Sequence, residues 1–158
     1  MKRLMKRVVL SLVAVGLVIG CNAKEKKEPE ATNPRPVKAA TVVVVPESVQ
    51  GKWKSVQIAV ADKKAHQQQI YTLEIGSEFP LPGSNLTLKV ADFLPHFVME
   101  GTTLTSGSNE LRNPAARLII REGGREIFKG WLFSLYPTTH TFQHPQYGFT
   151  LVDYVPAS

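Results

Sequence analysis

"ARLIIREGGREIFKGWLFS", Ala116 to Ser134, decides how this chain is read. Two adjacent glycines, Gly123-Gly124, divide runs of β-branched and aromatic residues. A two-residue hairpin turn needs positive φ at both centres, which glycine adopts without strain. Folding the stretch about the glycines sets Glu122 opposite Arg125, Arg121 opposite Glu126 and Ile120 opposite Ile127. The first two pairs are charge-complementary, each worth about 0.2–1 kcal/mol. In this register Leu118, Ile120, Ile127, Trp131 and Phe133 share one apolar face, read as core. Arg117, Arg121 and Glu126 share the other, read as a solvated sheet face rather than an anion site.

Working outward, the same period of two recurs. Val56, Ile58 and Val60 alternate with Lys54, Gln57 and Ala59. Tyr71, Leu73 and Ile75 alternate with Thr72 and Glu74. Leu86, Leu88 and Val90 alternate with Thr87 and Lys89. One apolar side per strand is the mark of a half-buried sheet. "FPLPGSN", Phe79 to Asn85, puts Pro82-Gly83 where a tight turn is wanted. A last strand, Phe149 to Val155, sets Phe149, Leu151 and Val155 against Thr150 and Tyr154. No helical stripe of any length appears. The expected fold is all-β: a small antiparallel β-sandwich or barrel-like domain over residues 51–158.

The front of the chain is of another kind. Lys2, Arg3, Lys6 and Arg7 precede an uncharged apolar run, Val8 to Gly20, too short for a membrane span of about 20 residues. Residues 1–20 read as an export signal. It ends in "VIGC", Val18 to Cys21, with the single cysteine of the chain. This resembles a bacterial lipobox, which implies a lipid on the Cys21 thiol and a membrane anchor. An ordinary signal, or a short anchor helix, with a chance cysteine is the alternative. Charge, run length and cysteine position all favour the lipobox. One acyl chain binds a membrane only marginally, so a multi-chain anchor is the physical point of such a site.

Residues 21–50 read as a lipidated cysteine and a Pro- and charge-rich linker. Pro-rich chain extends by about 3.1 Å per residue and makes a long tether. Val42 to Val45 within it suits a strand, either docked on the domain or left as a tail segment. Asn22 rather than Asp after the cysteine favours the outer membrane, facing the periplasm, if the host is Gram-negative. Setting aside the four basic residues of the signal leaves fifteen Lys and Arg against thirteen Asp and Glu. The high pI is therefore mostly a property of the leader. No basic patch of the kind nucleic acid requires is evident, and nucleic acid is not expected as a partner.

Candidate chemistry is sparse. His140 and His144 have helical ligand spacing, but Pro137 and Pro145 bracket a loop. In extended chain their spacing exceeds ten ångströms at about 3.3 Å per residue. A metal would need His66 or His96 to join from elsewhere, so no metal or other cofactor is expected. Ser134, His140 and Asp153 supply the letters of a hydrolase, but there is no G-x-S-x-G elbow. Tyr136, His140, Phe142, His144 and Tyr147 form the candidate contact surface, because binding residues often lie on loops. If the polar stretch Ser106 to Pro114 joins them, the two make one exposed patch.

"KGWLFSLYPTTHTFQHPQYGFTLVDY", Lys129 to Tyr154, resembles the carboxy-terminal signature of a family of exported bacterial proteins and lipoproteins, domain of unknown function twenty-one fifty-five. The likeness runs through Gly130-Trp131-Leu132-Phe133, Pro137, His144-Pro145-x-Tyr147 and the closing strand to Asp153. It extends back over "TLEIGSEFPLPGSNLTLKVADFLP", Thr72 to Pro95, and so over about half of the chain. The resemblance implies an envelope location and a small β domain, and carries over no catalytic residues. Members often hold further cysteines. This chain has none in the domain, which puts a disulfide or thiol role in doubt.

The sequence thus leads to a lipid-anchored cell-envelope lipoprotein, a non-catalytic binding or accessory module with the membrane and an envelope protein as partners. A hydrolase of envelope polysaccharide, peptide or lipid is one alternative, and a small-ligand or glycan binder is another.

Overall fold

The computed structural model describes residues 40–139 and 142–158. Cys21, the stretch read as a signal and most of the stretch read as a linker lie outside the described residues, as does His140. The described chain is all-β. Ten strands run in order: β1 (Val42–Val43), β2 (Trp53–Asp62), β3 (Gln67–Glu74), β4 (Glu78–Pro80), β5 (Leu86–Leu94), β6 (Phe97–Glu100), β7 (Thr103–Ser106), β8 (Ala115–Glu122), β9 (Arg125–Phe133) and β10 (Tyr147–Pro156). They form three open sheets, β10-β2-β3, β4-β5-β8-β9 and β1-β7-β6. The first two face each other as a sandwich, and no barrel closes.

The core is the meeting of their inner faces. Val56, Ile58, Leu73 and Leu151 come from the three-stranded sheet, and Leu88, Val90, Leu118, Ile120 and Leu132 from the four-stranded one; all are nearly or fully buried. The alternation in the sequence placed most of these correctly, because period two is the geometry of a pleated strand. At one corner the sheets join: Gly76 N–H donates to Val90 C=O at 2.7 Å, and Ile75 bridges Val90.

The two turns named from sequence also form. Gly123 and Gly124 have φ of 54° and 84°, and Glu122 and Arg121 pair with Arg125 and Glu126 as expected. Leu81 to Ser84 closes a turn, with Ser84 N–H on Leu81 C=O at 3.2 Å and Gly83 at φ 72°.

Beyond the second pair the β8–β9 register departs from expectation. Ile120 lies opposite Phe128, not Ile127, because Ile127 is extra on β9. Such a bulge flips the face of every later residue. Phe128, Gly130 and Leu132 therefore turn inward, and Trp131 and Phe133 turn outward, overturning their reading as core. They are covered all the same: Phe97 of β6 packs edge-on against Trp131 at 5.1 Å and Phe133 at 5.0 Å. Arg117, opposite Trp131, is ion-paired with Asp92, and Arg121 with Glu78. A second bulge, at Val152 on β10, turns Tyr154 inward instead of Val155. Tyr154 then joins Trp53 and Phe93 in an aromatic cluster with centroids 5.1–6.2 Å apart.

The domain also begins earlier than residue 51. β1 runs parallel to β7, with Val42 N–H on Thr102 C=O at 3.0 Å and Val44 N–H on Leu104 C=O at 2.9 Å. Val49 is buried. The Val42 segment is thus a docked strand rather than a tail.

Candidate functional site

The candidate residues of the last connection do different jobs. Tyr136 is exposed. Phe142 packs into the sandwich side, its ring 4.6 Å from Phe128 and 6.0 Å from Phe149. The His144 side chain is only 10% exposed. Its Nδ1 accepts two backbone N–H bonds, from Gln146 at 3.2 Å and Tyr147 at 3.0 Å. An imidazole nitrogen that accepts cannot carry the proton, so the neutral ring bears it on Nε2. That nitrogen lies 3.9 Å from Glu122 Oε1, beyond hydrogen-bond reach. The ring also stacks on Tyr147 at 5.3 Å. His144 is a turn former that starts β10.

The connection that carries the candidate residues starts beside the Ser106–Pro114 loop and finishes at the far end of β8. Ser134 N–H bonds Pro114 C=O beside Ala115, whereas His144 approaches Glu122. Those strand ends are about 23 Å apart at 3.3 Å per residue. The Ser106–Pro114 loop is tied down elsewhere: Trp53 Nε1 donates to Asn109 Oδ1 at 2.8 Å, and His96 Nδ1 meets Ser108 Oγ at 3.1 Å.

Of the residues weighed for a hydrolase, Ser134 and Asp153 are described, and they are not drawn together. The Ser134 hydroxyl accepts from Tyr154 Oη at 3.0 Å. Asp153, the neighbour of Tyr154 on β10, points to the other face of the strand. No group of three or more His, Cys, Asp or Glu residues among the described residues converges to hold a metal.

A groove opens instead at the turn end of the sandwich. Here the inner face of the β10-β2-β3 sheet changes character. Its rows, read across the strands, are Tyr154–Val56–Leu73, Leu151–Ile58–Tyr71, Phe149–Val60–Gln69 and Tyr147–Asp62–Gln67. The last row and the β3 edge are polar at positions that face inward. On the opposite sheet Glu122 continues the inward series of Leu118 and Ile120. Polar residues at core-facing positions run against the fold's own pattern unless they meet solvent or a ligand.

The opposing sheet stops short at the Pro82-Gly83 turn, and the space between is a cleft of about 310 Å³ bordered by Asp62, Gln67, Gln69, Tyr71, Gly83 and Tyr147. A second hollow of about 520 Å³ shares Gly83 and Tyr147 and reaches Asn85, Glu122 and His144. Tyr147 borders both.

Several groove groups are held in place. Tyr71 Oη donates to Gln69 Oε1 at 3.0 Å, and Gln146 Nε2 donates to Asp62 Oδ2 at 3.0 Å. Asp62 Oδ1 accepts the backbone N–H groups of Lys64 at 2.9 Å and Ala65 at 3.0 Å. The Ala65 N–H bond first, then Gln146, hold the Asp62 carboxyl below its usual range, and it stays ionised. Lys63 fastens the floor of the connection, donating from Nζ to His144 C=O at 2.8 Å.

Tyr147 belonged to the candidate surface read from sequence; the β3 edge did not. The signal was present, since extending the inward period of Tyr71 and Leu73 backward lands on Gln69 and Gln67. The chain matches no family model, no curated protein and no solved structure. The site is therefore read from its own chemistry.

Proposed function

We propose that this chain is a cell-envelope lipoprotein, held to the membrane by lipid on Cys21, whose β domain is a non-catalytic binding module. The groove beside Tyr147 is its recognition site. One observation carries the second part: an inward-facing row of polar side chains, several of them pre-oriented, opens to solvent where the hydrophobic core ends. Convergent polar groups in a concavity of this size suit ligand binding.

The position of the groove supports the reading. The described chain enters through β1, on the small sheet that packs by Phe97 against the Phe133 end of β9. Val45 and Val49 then line a hollow with Trp53 and Phe93 at that same end. The groove lies at the other end of the domain from β1. The state of His144 argues against the hydrolase alternative. Its Nδ1 is occupied by two backbone donors and its Nε2 stands 3.9 Å from Glu122, so the ring is committed to shaping the turn.

Two measurements test this. Cells expressing the full chain with labelled palmitate should label the wild type and not Cys21→Ser, and the variant should leave the membrane fraction. A photo-crosslinking residue at Gln67, in the groove, should capture a discrete envelope component; one at Ile70, on the outer face of the same strand, should not. Retained label in Cys21→Ser would refute the anchor, and equal capture from both positions would refute the groove.

A further inference from the structure

The chemistry of the groove narrows its ligand, resting on the reading of the groove as a binding site. We propose that it takes a neutral glycan, with Asp62, Gln67, Gln69 and Gln146 pairing with hydroxyl groups and the Tyr147 ring lying against a sugar face.

The lining decides against other classes. It holds two carboxylates, Asp62 and Glu122, and no Lys or Arg side chain. A phosphate, nucleotide or polyanionic ligand would meet like charge in a lining that supplies no cation of its own. An acyl chain would have to strip water from a mostly polar wall.

Sugar hydroxyls ask for something different, namely paired donors and acceptors at short spacing. A carboxamide offers an oxygen acceptor and two N–H donors, and a carboxylate offers acceptors only. Gln67 and Gln69 are two residues apart on one face of β3, and Gln67 faces Asp62 across the strand pair. This sets a line of alternating amide and acid groups along the edge of the cleft. Tyr147 lies opposite Asp62 on its other side. Its ring is braced by His144, which stacks on it at 5.3 Å. The slightly positive C–H groups of a pyranose favour an aromatic face for the same quadrupole reason that ring edges do.

Pre-orientation strengthens the case. Gln69 is held by Tyr71, and Gln146 by Asp62, so their amides are not ordered at the moment of binding. Two adjoining hollows that share Tyr147 and Gly83 suit an extended chain of sugar units rather than a single compact ligand.

The experiment uses the full chain in detergent, ¹⁵N-labelled, titrated with short neutral oligosaccharides: β-1,4-linked N-acetylglucosamine, cello- and malto-oligosaccharides. At least one series should shift the side-chain amide signals of Gln67, Gln69 and Gln146 and the backbone signal of Tyr147. Gln67→Ala with Gln69→Ala should weaken that binding at least tenfold with an unchanged melting temperature, because both side chains are exposed. Tyr147→Phe keeps the ring and should bind within a few fold of wild type, whereas Tyr147→Ala should not bind.

If no oligosaccharide shifts these signals, the glycan assignment is wrong. It is equally wrong if peptides shift them and sugars do not. In either case selective crosslinking from Gln67 over Ile70 would leave the groove as a binding site for another class. Loss of that selectivity would take both readings down.

Discussion

His144 shows how a side chain that looks catalytic is used for shape. Its Nδ1 stands where an asparagine oxygen stands in an Asx turn, accepting the N–H groups two and three residues on. Replacing it with Ala leaves two partly buried donors without this acceptor, at a cost of about 1–3 kcal/mol. His144→Asn restores an acceptor at the same backbone spacing and should recover most of the loss. Urea midpoints of the two variants check this; equal losses would show that ring stacking on Tyr147, not the hydrogen bonds, is what matters.

Asp62 works at the same scale. Its folded-state pKa lies below the ordinary 3.8. A depressed carboxylate adds stability that is fully present above the ordinary value and is lost as pH falls through it toward the lowered one. The wild type should therefore lose more melting temperature than Asp62→Asn between about pH 5 and pH 2. Parallel curves for the two proteins over that range would refute the role. Neither role is legible in the letters alone. An Asp before two lysines and a His before a proline are common, and what they bond depends on how the chain turns.

The β8–β9 hairpin marks the limit of pattern reading at the element scale. The turn and first two pairs follow from Gly123-Gly124 and the flanking charges. The third pair does not, because a bulge leaves no fixed sign in a sequence where Ile127, Phe128, Trp131, Leu132 and Phe133 are all apolar. Either parity buries something. The inward choice goes to Phe128 and Leu132 because Gly130 lets the Phe128 ring fold over the strand. A Cβ at Gly130 would come within 2.6 Å of that ring.

Gly130→Ala should accordingly destabilise the domain by about 1–3 kcal/mol, as overpacking does. Combining it with Phe128→Leu, which shortens the side chain, should cost less than the sum of the single changes. Denaturant unfolding of the four proteins in the cycle reads this directly, and strict additivity would mean that the ring contact is not the cause. The glycine of the Gly-Trp-Leu-Phe motif is thus explained by packing rather than by chemistry.

For the molecule as a whole, composition and periodicity already determined a good deal. They marked an all-β domain whose strands at Val56, Tyr71, Leu86, Leu118 and Phe149 lie where the alternation put them. These are local properties, since a strand's period and a glycine turn are written in neighbouring residues. Tertiary structure decided what depends on residues far apart. It chose the parity of Trp131, Phe133 and Tyr154, because covering each ring took a partner from another strand: Phe97 for the first two, Phe93 and Trp53 for the third. It brought Val42 onto β7 across some sixty residues of chain. It also placed the groove, which exists because one sheet ends at Pro82-Gly83 while the other runs on to Asp62 and Gln67, and no single strand records where its partner sheet stops.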